Sequence, residues 1–143
     1  MPARLRSEFD TKKAYVSGYM ERCLAVWPPE EFDQYLARAE TMERRGSEGR
    51  NLARILSALS TEAEFDAQWR LTIPGNLREY AGLEPDKPVV VNGAFSRVEL
   101  WQVELWRDRM AAGAESLANG TSPLFSDPTP QPAGALQPAG EQA

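Results

Sequence analysis

The residues best placed for chemistry with a charged partner are Asp66, Arg70 and Arg78, within FDAQWRLTIPGNLREYAGL (65–83). An acid and an arginine stand four apart. A second arginine follows eight residues later, beyond a proline that suits the first turn of a short helix. Arginine's planar fork can bond two acceptors at once, whether phosphate oxygens or the O6/N7 edge of guanine. The plainer alternative is an Asp66–Arg70 surface ion pair worth about 0–1 kcal/mol. Catalysis has little to work with. The chain has no histidine and a single cysteine, Cys23, which rules out Ser-His-Asp and Cys-His catalysis and leaves no credible zinc site. Its carboxylates are scattered along helix faces or near helix starts, where solvation and capping account for them. The expectation is a non-enzyme with no cofactor, no metal and no small-molecule ligand.

The 143 residues fit one domain or two small repeats. No apolar run approaches the ~18 residues of a membrane span, and MPARLRSEFD lacks the apolar core of a signal peptide. A lone cysteine in the apolar stretch CLAVW reads as a buried thiol in a reducing compartment. Net charge is −5, but residues 113–143 contribute three acids and no Lys or Arg, so residues 1–112 are nearly neutral. Binding to phosphate depends on the local field, and a near-neutral body can carry a basic patch.

The elements that must position these residues read as two similar halves. In the second, Trp69–Ile73 alternates as a strand, Pro74 opens a helix that stops at Gly82, and PVVV (88–91) reads as a buried strand. Asn92-Gly93 signals a turn, RVELW (97–101) alternates again, and 103–112 is helical. The first half repeats this order: PARLRSEF (2–9), KAYVSG, RCLAVW, the turn PPEE and the helix EFDQYLARAE. Pro2/Pro74, Leu5/Leu77 and Arg6/Arg78 share an offset of 72, and Trp27/Trp101 and Phe32/Trp106 one of 74. The three tryptophans read as core anchors. Between the halves, Leu52, Ile55, Leu56 and Leu59 predict an amphipathic helix packed on the body. Lys12 and Lys13 read as solvated. From Gly113 onward five of the eleven prolines occur, and the stretch reads as disordered. The predicted organisation is a first repeat (1–46), a linking helix (47–61), a second repeat (62–112) and a tail (113–143).

Subtracting 72 from Asp66 and Arg70 gives positions before Met1, so either the true start lies upstream or the first repeat has lost its Asp-x-x-x-Arg strand. With that gap, FDAQWRLTIPGNLREYAGLE followed by VVVNG…SRVELW is similar to the second repeat of the MraZ family of bacterial transcriptional regulators. MPARLR (1–6) resembles the end of the first. The resemblance covers roughly residues 1–112. It implies an α+β fold of two tandem AbrB-like, swapped-hairpin β-barrel repeats with short helices. It further implies ring-like homo-oligomers, on the nucleoid and in the cytoplasm, that bind direct repeats in the promoter of the division and cell-wall gene cluster. By position, Arg70 becomes the leading DNA contact with Asp66 orienting it, and Arg78, Arg6 and Arg4 follow as candidates. Trp69 stands where the family commonly has glycine, and a bulky residue disfavours a positive-φ backbone there. Two other readings stay open. AbrB-like modules also serve as antitoxin-type protein-interaction domains, and a degenerate subunit could join the ring with weak DNA binding.

Overall fold

A computed structural model of the chain describes residues 1–126. It divides into two compact units, Met1–Arg107 and Asp108 onward. The first is built on a five-stranded antiparallel sheet in the order β3-β1-β2-β5-β4. The strands are β1 (Lys13–Gly18), β2 (Leu24–Trp27), β3 (Ser60–Glu64), β4 (Val89–Ala94) and β5 (Arg97–Gln102).

Each half supplies one hairpin, β1–β2 and β4–β5, and the two join through β2 and β5. Their pairing carries the repeat into three dimensions. Ala25 faces Glu99, its own equivalent at the offset of 74, with Leu24 opposite Leu100 and Val26 opposite Val98. Antiparallel pairing centred on equivalent residues relates the hairpins by a pseudo-two-fold axis through Ala25 and Glu99. The proline-led segments match as well. Pro2 (φ −58, ψ 141) precedes a 3₁₀ segment, Ala3–Phe9, and Pro74 (φ −60, ψ 153) precedes the short helix Gly75–Ala81. Phe9 and Leu77, one from each, are almost fully buried and share a core with Ala14, Val16, Leu24, Val26, Phe65 and Val98. Trp27 anchors a second cluster with Ala25 and Phe32, and its indole N–H donates to the buried Ser17 hydroxyl at 3.0 Å.

Several expectations are corrected. Residues 69–73 are not a strand. The second half enters the sheet earlier, through β3 (Ser60–Glu64), which pairs with β1 from Ser17↔Ser60 to Lys13↔Glu64. STEAE has poor strand propensity, and pairing with the apolar β1 overrides it. Asn92-Gly93 is not the hairpin turn. Both residues lie in β4 and the turn is Phe95-Ser96, since Ala94 pairs with Arg97. Gly93 serves close approach instead: a Cβ there would lie 2.8 Å from Leu5 Cδ2. The Val89–Val91 run is on the sheet's edge, with Val89 exposed.

The PPEE stretch is largely helical, because α1 (Pro29–Glu43) begins with proline at its first turn. The linking helix is α2 (Ser47–Ala58), yet only Leu56 of its apolar stripe is buried. Leu52 and Ile55 stay about half exposed. The reason is the line along which α2 meets α1. A Cβ on Gly49 would lie 1.7 Å from the Met42 carbonyl oxygen of α1, so the seam follows the small residues Gly49 and Ala53 to Leu56 and leaves Leu52 and Ile55 on its flank. With Gly75–Ala81 as α3, the next helix, α4, runs Val103–Ala118, six residues beyond its expected end. Residues 113–118 are therefore helical, as the Ala-rich AAGAESLA favours. A turn of helix, α5 (Pro123–Ser126), follows. The rest of the predicted tail lies outside the described residues. Among the described residues no helix is long and apolar enough to cross a membrane.

Candidate nucleic-acid interface

Beyond β3 the chain leaves the sheet and turns at Asp66. The Trp69 amide donates to the Asp66 carbonyl at 3.0 Å, and the Asp66 amide to the Arg70 carbonyl at 3.0 Å. The Asp66 side chain closes the turn from inside. Its Oδ1 accepts from the amides of Gln68 (2.8 Å) and Arg70 (2.9 Å), and its Oδ2 accepts from Arg70 Nε at 2.9 Å. These bonds, the Arg70 amide and side chain foremost, hold the Asp66 carboxyl below the usual carboxylate range. Favouring the charged form through hydrogen bonds has this effect even in solvent.

The pairing fixes one edge of the guanidinium only. Arg70 has a side chain 74% exposed, and its two Nη groups hold no hydrogen bond among the described residues. A clamped Nε with a free terminal fork is the state in which arginine can meet two acceptors end-on.

Trp69 adopts φ 60, the left-handed backbone that its bulk disfavours. Its surroundings hold it there. The ring packs on Phe65 at 5.3 Å between centroids, and its carbonyl accepts from the Met1 amino group at 3.2 Å. Arg6 Cζ stands 5.7 Å and Lys12 Nζ 5.3 Å from the ring centroid. Lys12 also has a left-handed backbone, φ 60, and its carbonyl accepts from the Phe65 amide at 2.8 Å.

The structure thus brings Asp66, Arg70 and Arg6 to one place and adds Lys12, which sequence reasoning set aside as solvated. The only available signal was its position at the end of the first proline-led segment. Arg78 and Arg4 are not gathered in. Arg78 is exposed on α3, with Nη2 folded back to 3.7 Å from a Cβ placed on Gly75, and Arg4 is exposed on the 3₁₀ segment. Neither is hydrogen-bonded or ion-paired to Asp66, or stacked on Trp69, among the described residues.

Other arginines hold structural posts. Arg97 pairs with the largely buried Glu99 at 2.8 Å, which also accepts from the Trp101 indole at 3.0 Å. Arg22 stacks on Tyr80 and donates to its carbonyl.

A family profile described as "MraZ protein, putative antitoxin-like" matches residues 1–55 and 57–127. A transcriptional regulator MraZ of Halothermothrix orenii is 35% identical over 116 residues, covering 81% of this chain and 79% of the relative. Its counterpart in Salinispora tropica is 38% identical over 122 residues, 83% and 82% of the two chains. That of Moorella thermoacetica is 36% identical over 108 residues, 76% and 73%.

Proposed function

We propose, because the chain belongs to the MraZ family, that it binds promoter DNA as a homo-oligomer through the turn centred on Asp66 and Arg70. Membership makes it a DNA-binding transcriptional regulator; the residues, the target and the assembly are the proposal. The carrying observation is the half-clamped guanidinium, with Nε held by Asp66 at 2.9 Å and both Nη groups open in a well-exposed side chain. Arg70 reads a base edge, Asp66 orients it, and Arg6 adds charge beside it. Arg4 and Arg78 supply further cations on the two proline-led segments.

A single such turn gives little affinity. Repetition around a closed ring makes the sites act together through effective concentration, which suits direct repeats in the promoter of the division and cell-wall gene cluster. The protein then works on the nucleoid, in the cytoplasm. The target is tested by fluorescence anisotropy of the chain on duplex DNA from its own upstream region, with a scrambled duplex beside it. Preference for the promoter duplex that Arg70→Ala abolishes is the expected result. Preference that survives Arg70→Ala refutes the assignment of that residue, and a monomeric native mass refutes the assembly.

A further inference from the structure

We propose that Trp69 gathers Arg6 and Lys12 beside Arg70 into one composite contact for the nucleic-acid phosphate backbone, built jointly by both halves of the chain. The inference rests on the DNA-binding reading above and extends it to groups that act on charge and not on sequence. Lys12 and Arg6 belong to the first half, and Trp69 and Arg70 to the second. Their meeting is enforced by the backbone. The Phe65 amide is bonded to the Lys12 carbonyl at 2.8 Å, and the Phe65 ring packs against Phe9 at 5.2 Å and Trp69 at 5.3 Å.

Two residues with side chains adopt left-handed φ of 60 within this small junction, Lys12 and Trp69. Such conformations persist where the surroundings over-determine them, and they concentrate at functional positions. Here they bring an ammonium and an indole into contact, 5.3 Å from nitrogen to ring centroid. The nearby carboxylate of Asp66 is committed to Arg70. Neither Arg6 nor Lys12 forms an ion pair among the described residues. Aromatic contact with a cation holds the charged end without neutralising it, so both charges remain available to an anion.

Phosphate is the fitting partner. Lys12 is a compact point charge, which suits a phosphate and not a bidentate base edge. Arg6, its Nε bonded to the Met1 carbonyl at 3.1 Å, keeps its terminal nitrogens and its charge for phosphate oxygens. Contacts to phosphate fix register on the duplex without reading its sequence, which leaves discrimination to Arg70.

The test is the salt dependence of binding by the full 143-residue chain, on promoter and scrambled duplexes alike. Each phosphate neutralised on B-DNA adds ~0.9 to the slope of log affinity against log salt. Arg6→Gln with Lys12→Gln is expected to lower the slope by about 2 per docked chain, equally on both duplexes, and to leave the promoter preference intact. The charge-keeping pair Arg6→Lys with Lys12→Arg is expected to restore the slope. Trp69→Gly keeps both charges but removes the platform, and is expected to weaken binding to both duplexes while Trp69→Phe retains it. Thermal melts of each variant separate loss of contact from loss of fold.

A parental slope in a folded Arg6→Gln/Lys12→Gln variant overturns the inference. Parental binding in Trp69→Gly overturns the platform role. If promoter preference fails but the slope falls as stated, the sequence-specific reading is lost and this inference stands. If Arg70→Ala abolishes preference and the slope does not move, the reverse holds. No binding to either duplex at low salt overturns both.

Discussion

Replacing Asp66 by asparagine should lower the discrimination of this protein between DNA sequences without unfolding the turn. In the parent, Oδ1 closes the turn by accepting from the Gln68 and Arg70 amides, while Oδ2 holds Arg70 Nε. An asparagine carbonyl can keep the first two bonds but offers Nε an amide where an ionised acceptor stood. Arg70, with a side chain 74% exposed, then recovers rotamer freedom that must be lost again on binding. Immobilising one long side chain corresponds to about a twofold to tenfold loss in affinity, and the promoter duplex bears it. The scrambled duplex should instead bind slightly better, by less than about fivefold, because a negative charge near phosphate has gone and exposed charges are well screened at physiological salt. Asp66→Ala removes all three acceptor contacts and should approach the behaviour of Arg70→Ala.

Acid cannot stand in for the asparagine within the useful range. The Asp66 carboxyl is held below its ordinary value of 3.8. Its contribution is therefore complete above that value and lost only as pH falls through the lowered one. The chain has no histidine, so promoter binding should be flat from pH 5 to 7. Anisotropy titrations of the three variants on both duplexes check this ordering. An Asp66→Asn protein with parental discrimination, or one indistinguishable from Asp66→Ala, would refute the clamp.

Gly49→Ala should destabilise, although glycine to alanine inside a helix ordinarily gains up to about 1 kcal/mol. The new Cβ would lie 1.7 Å from the Met42 carbonyl oxygen, and overpacking of that kind costs about 1–3 kcal/mol; a thermal melt gives the sign. Ser17→Ala leaves the buried Trp27 indole N–H without its partner and should cost about 1–3 kcal/mol by urea titration. The Cys23 thiol, pushed up from 9.0 to about 12 chiefly by burial, should resist alkylation at pH 8 until urea is added. The stability linked to Cys23 is intact below the unfolded thiol's pKa and declines as pH rises from there towards 12, which alkaline denaturation can follow. Phe95, fully exposed at φ 57 in the β4–β5 turn, should yield a higher melting temperature as Phe95→Asn. Relief of left-handed strain is worth about 1–2 kcal/mol, and asparagine tolerates that backbone.

How much of this was legible in the sequence depends on which force decided each element. The KAYVSG strand, its RCLAVW partner, which starts two residues later than expected at Leu24, and both proline-led segments follow from alternation, proline and spacing, all local properties. β3 was hidden because STEAE has no strand preference of its own, and β1 supplies the reason for its conformation. Asn92-Gly93 misled because glycine answers two needs. Here it yields to the Leu5 side chain, while the turn falls on the less suitable Phe95. The stripe Leu52–Ile55–Leu56–Leu59 predicted a buried face, but the approach of α1 along small residues chose a different one. At the site, Asp66 and Arg70 were visible because their contact spans four residues. The company of Arg6 and Lys12 on Trp69 was not, since those contacts cross from one half to the other and no periodicity encodes them.

Trp69 also shows how a disfavoured residue can be retained. Glycine would reach φ 60 without steric cost, so a tryptophan there must offset about 1–2 kcal/mol of backbone strain. Its aromatic contact with Phe65 supplies about 0.5–1.5 kcal/mol. Two partly exposed cations over its ring add about 0.5–1 kcal/mol each. These gains cover the strain, so the turn loses no stability by carrying the larger residue. What it gains is organisation of charge. With glycine at this position Arg6 and Lys12 would have no common surface to rest on, and the near-neutral body would present its cations singly. With tryptophan, two cations and one committed carboxylate meet beside a free guanidinium fork, and a modest net charge becomes a strong local field.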